Sequence, residues 1–254
     1  MLQLKGMKWF LNLIFAFIAT FALVGVVHAA DVDTDGDGLS DNAETTIYAT
    51  DPAVADTDGD GFSDGAEIAN GYSPRSGEKT RLTDIDSDKD NLPDAWELAL
   101  GTNLMNPDTD GDGFLDGTEV RAGYDPSSTD KKRLEKRISV DLSSQKLAYS
   151  VGGVVLESFP ISSGLKRTPT PPGEFNILAK VPLKNYGGAG FSYPNTKWNL
   201  QFTTVKGLRY YIHGAYWHND FGTPKSHGCV NVSYQNMERL YDWAQVGTKV
   251  EITS

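Results

Sequence analysis

The chain has 254 residues, 39% of them apolar, with 34 acidic against 23 basic side chains, a net charge of −11 and one cysteine. That length allows about two domains. The acidity excludes a nucleic-acid backbone as partner, and a single cysteine excludes an internal disulfide framework.

Residues 1–29 have the layout of a secretory signal peptide. Lys5 and Lys8 open it, an apolar run from Trp9 to Val27 follows, and Val27-His28-Ala29 forms the cleavage site. An uncleaved anchor is the alternative, because the run is nearly of bilayer length. The mature protein is expected to be secreted, in the periplasm or cell envelope, with no membrane span after cleavage. Beyond this segment the charge divides. Residues 30–130 hold 26 acidic and 5 basic side chains, whereas residues 131–254 hold 8 and 16. Such a split marks two modules, with residues 127–136 as the linker between them.

Four segments of the acidic half align without gaps: DTDGDGLSDNAE, DTDGDGFSDGAE, DSDKDNLPDAWE and DTDGDGFLDGTE. Each carries carboxylates at relative positions 1, 3, 5, 9 and 12. They are Asp33, Asp35, Asp37, Asp41 and Glu44; Asp56, Asp58, Asp60, Asp64 and Glu67; Asp86, Asp88, Asp90, Asp94 and Glu97; Asp108, Asp110, Asp112, Asp116 and Glu119. Position 6 is glycine or Asn91, residues that tolerate a left-handed backbone. Alternate carboxylates on a curled loop converge on one point and repel unless a cation sits there. The order is that of a 12-residue calcium loop closed by a bidentate glutamate, and it suits Ca²⁺ better than Mg²⁺. A disordered acidic tract is the competing reading, and four copies in register favour calcium. Asp33 follows the signal segment too closely for a preceding helix, so these are not paired EF-hands. AEIANGYSP and TEVRAGYDP each allow one short helix, ended by Gly71 or Gly123. On these motifs residues 30–126 resemble bacterial thrombospondin type 3 repeats. The resemblance implies a chain wrapped around a row of structural calcium ions with little apolar core. Loop starts are separated by 23, 30 and 22 residues, so the second-to-third junction breaks the regularity.

The basic half is β-rich. ISVDLSSQKLAYSVGGVVLESFPISSG predicts three strands with turns at SSQ and GG. KRTPTPPGEF is a rigid loop entering a strand FNILAKV, and KWNLQFTTV and LRYYIHG are two more strands. Ser233 caps a helix running to about Ala244, with Met237, Leu240, Tyr241 and Ala244 on one face. TKVEIT closes the chain as a strand after Gly247.

The lone Cys229 stands in SHGCVN, before that helix and within 16 residues of His213, His218 and His227. A thiol near a helix N-terminus and beside histidine is suited to nucleophilic catalysis. The Gly228 and Cys229 amides are candidates for an oxyanion site. Two other readings compete: a buried structural cysteine, and a zinc site of His213, His218, His227 and Cys229. SGLK at 163–166 and SSQK at 143–146 match Ser-x-x-Lys of penicillin-binding serine enzymes. Both sit in strand-and-turn patterning without the partner motifs, so that chemistry is set aside.

HGAYWHNDFGTPKSHGCVN resembles the signature of the L,D-transpeptidase catalytic-domain family. ISVDLSSQKL resembles the family's opening strands and TPPGEF its Thr-Pro-x-Gly-x-Phe loop; together they cover residues 137–253. The resemblance implies a mainly β, sandwich-like domain with one packed helix, preceded here by the irregular calcium-loop repeats. It implies attack by Cys229 on a peptidoglycan stem tetrapeptide, loss of the terminal D-amino acid, and resolution of the thioester by an amine, with no catalytic cofactor. His213 takes the role of base, its tautomer held by the Gly214 carbonyl. His227 is its rival, assigned to orienting the loop or the oxyanion site with Gly228, and His218 is a loop residue. Tyr216, Trp217, Ser226 and Asn231 are candidate substrate contacts. Family members often carry arginine where this chain has Asn231, which leaves Arg209 or Lys225 to hold a substrate carboxylate. An L,D-carboxypeptidase, with water resolving the thioester, and a calcium-dependent wall-binding or adhesion protein with a degenerate catalytic domain are the alternatives. The acidic repeats are expected either to contact the basic domain when calcium is absent or to serve as an inert stalk.

Overall fold

The computed structural model describes residues 32–254 apart from Glu78 and Ala189. The expected signal segment and the first two residues of the repeat region lie outside the described residues. Among the described residues, no helix is long and apolar enough to cross a membrane.

Each acidic segment is a closed loop running into a short helix. The position-1 aspartate accepts the amides of positions 4 and 6, as Asp33 does from Gly36 and Gly38 at 2.8 and 3.2 Å. The helices are α1 (Asp41–Ala43, continued by a π-helical turn Glu44–Tyr48), α2 (Asp64–Asn70), α3 (Asp94–Leu100) and α4 (Asp116–Ala122). Gly71, Gly101 and Gly123 end the last three in the left-handed conformation, which a Cβ would penalise.

The loops are joined in pairs. Asp37 at position 5 of the first loop accepts the Gly65 amide of the second at 2.7 Å. Asp90 of the third accepts the Gly117 amide of the fourth at 2.6 Å. A Cβ on Gly65 or Gly117 would lie 2.4 or 2.6 Å from the backbone oxygen of Asp37 or Asp90, so this approach requires glycine. Each pair ends in a narrow hairpin, bridged at Tyr72–Arg81 and at Tyr124–Arg133. The guanidinium lies over the tyrosine ring in both, at 5.3 and 4.8 Å. The unit of repetition is therefore two loops and a hairpin, and the long second-to-third gap is the hairpin. The stretch 127–136 is not a free linker: it forms the rest of the second hairpin and the start of the first strand.

The basic half contains strands β1 (Lys136–Asp141), β2 (Lys146–Val151), β3 (Val154–Pro160), β4 (Gly173–Asn176), β5 (Ala179–Gly188), β6 (Phe191–Val205), β7 (Leu208–Gly214), β8 (Val230–Val232) and β9 (Lys249–Thr253), with helix α5 (Tyr234–Trp243). One sheet has the order β3-β2-β1-β9-β4, the other β5-β6-β7-β8. The expected strand FNILAKV is broken at Ile177 and Leu178. There the chain leaves one sheet for the other: Ile177 donates its amide to Thr248, and Leu178 donates to Gln201. Ser233 caps α5, which lays Met237, Leu240 and Trp243 into the core, Trp243 against Tyr149 at 4.9 Å. Burying each such side chain contributes about 1.5–3 kcal/mol.

The repeats share this core. Leu92, Trp96 and Val120 are buried in one apolar cluster with Ile138, Tyr149 and Leu240. The Trp96 ring meets Tyr149 edge-on at 5.7 Å. The Glu157 carboxylate of β3 accepts from Trp96 Nε1, Tyr149 Oη and Arg239, and Arg239 also reaches Asp84 at 3.1 Å. Lys136 Nζ donates to the carbonyls of Arg121, at the end of α4, and Trp243, at the end of α5. The contact is specific and largely apolar, which general attraction between an acidic and a basic half does not produce.

Candidate active site and cation loops

Cys229 lies immediately before β8, where parallel pairing with β7 sets Asn231 opposite His213. The loop that carries Cys229 is held from three sides. Gly164 bridges to Ser226, the Thr170 hydroxyl donates to the Gly228 carbonyl at 2.9 Å, and Ser226 Oγ accepts the Gly228 amide at 3.0 Å. Gly228 has φ +115°, and a Cβ there would meet the Tyr210 ring at 2.7 Å. The Ser-x-x-Lys match at 163–166 is scaffold: Ser163 is buried, bonded through its amide and hydroxyl to Gln145.

Cys229, His213, His227, Trp217, Ser226 and Asn231 line one open cleft of about 280 Å³, with Arg209 and Lys225 at its wall. His213 is buried, and its Nδ1 is 2.9 Å from the Gly214 carbonyl. That carbonyl can only accept, so Nδ1 carries the proton and Nε2 is left as acceptor. Burial lowers the imidazole to about 4, against a small upward pull from the Gly214 hydrogen bond. Burial pushes the Cys229 thiol up to about 11. The unliganded site at neutral pH therefore holds a neutral thiol and a neutral imidazole. Alkylation of Cys229 by iodoacetamide should climb steadily from about pH 6 to pH 9, because the reactive thiolate grows with pH; a flat rate over that range would mean a standing thiolate–imidazolium pair. Folding stability should fall as pH drops from the ordinary histidine value of 6.5 towards about 4, since the unfolded chain protonates His213 first. Equilibrium denaturation of the wild type beside His213→Ala across that range isolates this contribution, because the raised loop glutamates titrate there with the opposite sign.

The other expected site residues fall into distinct places. His227 is exposed and stacks on Phe191 at 4.3 Å. Trp217 stacks on Tyr193 at 3.9 Å. Tyr216 is 49% exposed, its hydroxyl bound to the Pro194 carbonyl. His218 is not a free loop residue: it is buried beside Asn231. With His218 turned to Asn231 and Nδ1 of His213 turned to Gly214, the proposed zinc set does not converge. Among the described residues, the groups placed to hold a metal are the four aspartate triads. Gly228 has its amide committed to Ser226, which leaves the Cys229 amide as the remaining candidate for an oxyanion donor.

Sequence reading missed the β5–β6 hairpin, whose Tyr186, Phe191 and Tyr193 roof the cleft. Tyr186 stacks on His213 at 4.5 Å. The signal was present: aromatic residues on both sides of GGAG, a turn between two alternating runs. Lys225 is ion-paired with Asp220, whereas Arg209 makes no ion pair among the described residues. Arg209→Ala should therefore raise KM for an anionic substrate about tenfold with little change in kcat, as loss of a charge-assisted hydrogen bond does; Lys225→Ala should do less. Steady-state kinetics on both variants test the order.

In the cation loops, the position-1, -3 and -5 aspartates of each loop bring one oxygen apiece within 4.8 Å of each other. The position-9 aspartates are not part of these triads. Both oxygens of Asp41, Asp64, Asp94 and Asp116 accept from the amide and hydroxyl of position 2, as Asp64 does from Thr57 at 2.9 and 2.6 Å. The closing glutamates are buried. Glu44, Glu67 and Glu119 each have one buried oxygen without a partner and Glu97 has two, as has one oxygen of Asp35, Asp58, Asp88 and Asp110. Burial, then neighbouring aspartates, pushes Glu97 up to about 9 and Glu67 and Glu119 to about 7. Oxygen donors buried together without a positive partner fit a hard divalent cation.

Residues 135–252 match the family described as the L,D-transpeptidase catalytic domain, YkuD, and residues 33–55, 56–71 and 108–128 match the bacterial TSP3 repeat. The third loop, with Lys89 and Asn91 in place of glycines, falls outside the repeat matches yet has the same geometry. The YkuD protein of Bacillus licheniformis is 28% identical over 142 residues, 55% of this chain and 80% of that protein. L,D-transpeptidase 1 of Mycobacterium tuberculosis is 30% identical over 125 residues, 44% of this chain and 47% of that protein. A solved L,D-transpeptidase from Mycobacterium smegmatis is 28% identical with a TM-score of 0.44, covering 48% of this chain and 60% of its own. The chain thus spans about half the length of the mycobacterial transpeptidase it matches.

Proposed function

Residues 135–252 belong to the L,D-transpeptidase catalytic-domain family, and from that premise we propose that the protein is an exported enzyme of the cell envelope acting on peptidoglycan stem tetrapeptides. The observation that carries the reading is the Cys229–His213 cleft, with the His213 tautomer set by Gly214. His213 Nε2 takes the thiol proton as Sγ attacks the carbonyl preceding the terminal D-residue. The tetrahedral oxyanion forms beside the Cys229 amide. Collapse expels the D-amino acid, whose nitrogen receives the proton from His213, and leaves a thioester. An amine of a neighbouring stem, deprotonated by His213, attacks the thioester and releases Cys229 with an amide cross-link formed. The stacked walls of Tyr186, Phe191 and Trp217 restrict water, which favours an amine over hydrolysis.

The four loops hold Ca²⁺ through their position-1, -3 and -5 aspartates and closing glutamates. With a cation held there, the buried carboxylates would be neutralised and α3 and α4 would stay seated on the catalytic domain. Mass spectrometry of disaccharide tetrapeptides incubated with the enzyme tests the reaction. Cross-linked dimers are expected; tripeptides alone would mean a carboxypeptidase, and unchanged substrate would leave a wall-binding protein.

A further inference from the structure

β5 is an edge strand with two unlike faces. Leu183 and Asn185 are exposed, whereas Lys184 and Tyr186, two residues apart, are half-buried on the other face. Tyr186 lies against the His213 ring. The Lys184 ammonium is held over two rings, 5.4 Å from the centroid of Tyr186 and 5.3 Å from that of Tyr211. A half-buried lysine ordinarily finds a carboxylate, yet among the described residues Lys184 makes no ion pair.

The two rings tie this charge to the nucleophile and the base. Tyr211 stands two residues before His213 in β7, and its backbone amide reaches the Cys229 thiol. Tyr186 lines the cleft with both groups; burial, then the Cys229 charge, holds its phenol far above the usual range, so the ring stays neutral. Burial pushes the thiol up, and the Tyr211 amide and Lys184 pull it back. On His213 burial acts downward, the Gly214 bond upward, and His218 and Lys184 downward again. Other ionisable groups face the thiol. β6 brings Tyr193, β7 brings Arg209 and Tyr210, and its own loop brings Lys225 and His227. Arg209, Lys225 and His227 are exposed, where water screens them, and Lys225 is already paired with Asp220.

We propose that Lys184 is a positioning residue: it is the fixed positive charge, held by Tyr186 and Tyr211, against which negative charge develops at Cys229. Thiolate formation, and the tetrahedral oxyanion after it, place that charge in a cleft walled by aromatic rings. A cation set in such a wall acts more strongly than one in water. The same cation opposes a resting imidazolium. His213, once it has taken the thiol proton, therefore passes it readily to the leaving nitrogen. No bond of the lysine changes in either step.

The part in turnover rests on the transpeptidase reading, whereas the charge itself is read without substrate. The test compares Lys184→Met, which keeps the stem and removes the charge, with Lys184→Arg, which keeps the charge, both in the full-length protein. The iodoacetamide rate profile of Cys229 should move to higher pH in the methionine variant, about fivefold slower at about pH 7.5, with the wild-type rate recovered at high pH. The ¹⁵N shifts of His213, followed downward from about pH 7, should show protonation beginning at a higher pH than in the wild type. Both groups moving up together is what loss of a cation produces. A cleft merely loosened by the change would admit water, moving the thiol down and the imidazole up. Lys184→Arg should restore both. A thiol profile that stays in place or moves down in Lys184→Met would overturn the proposal, as would equal shifts in the arginine variant. Lys184→Gln gives the same readout should the methionine variant fail to fold. With a tetrapeptide, kcat of the methionine variant should fall about fivefold with KM within about twofold; unchanged kcat would remove Lys184 from turnover. If the wild-type protein turns over no tetrapeptide, the proposed reaction fails, while the thiol and imidazole shifts still decide the charge.

Discussion

Replacing Cys229 with alanine is expected to lower acyl transfer by about 10⁶-fold, the scale on which a hydrolase loses its nucleophile. The loss is large because no second group in the cleft can form the acyl intermediate. Ser226, the nearest hydroxyl in sequence, is bonded to the Gly228 amide and the Cys229 carbonyl. The fold should survive, since the change removes one sulfur from a partly exposed position and costs about 1 kcal/mol. Product analysis by mass spectrometry, beside a thermal melt of the same sample, separates the two effects. Turnover by the alanine variant at anything near the wild-type rate would remove Cys229 from the mechanism. His213→Ala should be nearly as damaging, because the half-buried thiol, pushed up to about 11 by desolvation, depends on an imidazole with a free ring nitrogen to take its proton.

Removing calcium is expected to produce the largest change in stability. Each site saturated about 100-fold above its Kd contributes about 2.7 kcal/mol to the folded state. The third and fourth loops share the catalytic core through Leu92, Trp96 and Val120, so two sites act on the catalytic domain directly. Their loss amounts to about 5 kcal/mol, comparable with the whole stability of a small domain. Chelation should lower the melting temperature by about 10–20 °C. Glu97→Gln, in the loop that carries Trp96, should reproduce much of that shift, and Glu44→Gln in the first loop should not. Calorimetry with and without chelator, on the full chain and both variants, gives the comparison. A catalytic domain that melts at one temperature whatever the calcium level would show that the docked loops need no cation.

The amino-acid sequence by itself determined the local features. The 12-residue ligand order of the loops, the Gly71 and Gly123 helix ends, the Ser233 cap and the Ser-His-Gly-Cys motif are set by geometry between residues a few positions apart, and all were readable from spacing. That His213 and Cys229 share one cleft was readable for the same reason, because they lie in one short segment of recognisable pattern. The tertiary structure alone decided what distant segments do to one another. It joined the loops in pairs through Asp37–Gly65 and Asp90–Gly117, and turned the position-9 aspartates from ligands into braces. It split FNILAKV between two sheets, brought Tyr186 over His213 and Phe191 over His227, and engaged His218 with Asn231. It seated Trp96 against Tyr149, so that one apolar cluster runs from the repeats into the β-rich half. These contacts depend on strand register and on the packing of apolar faces. A residue's neighbours in sequence carry no record of either until the sheets have formed.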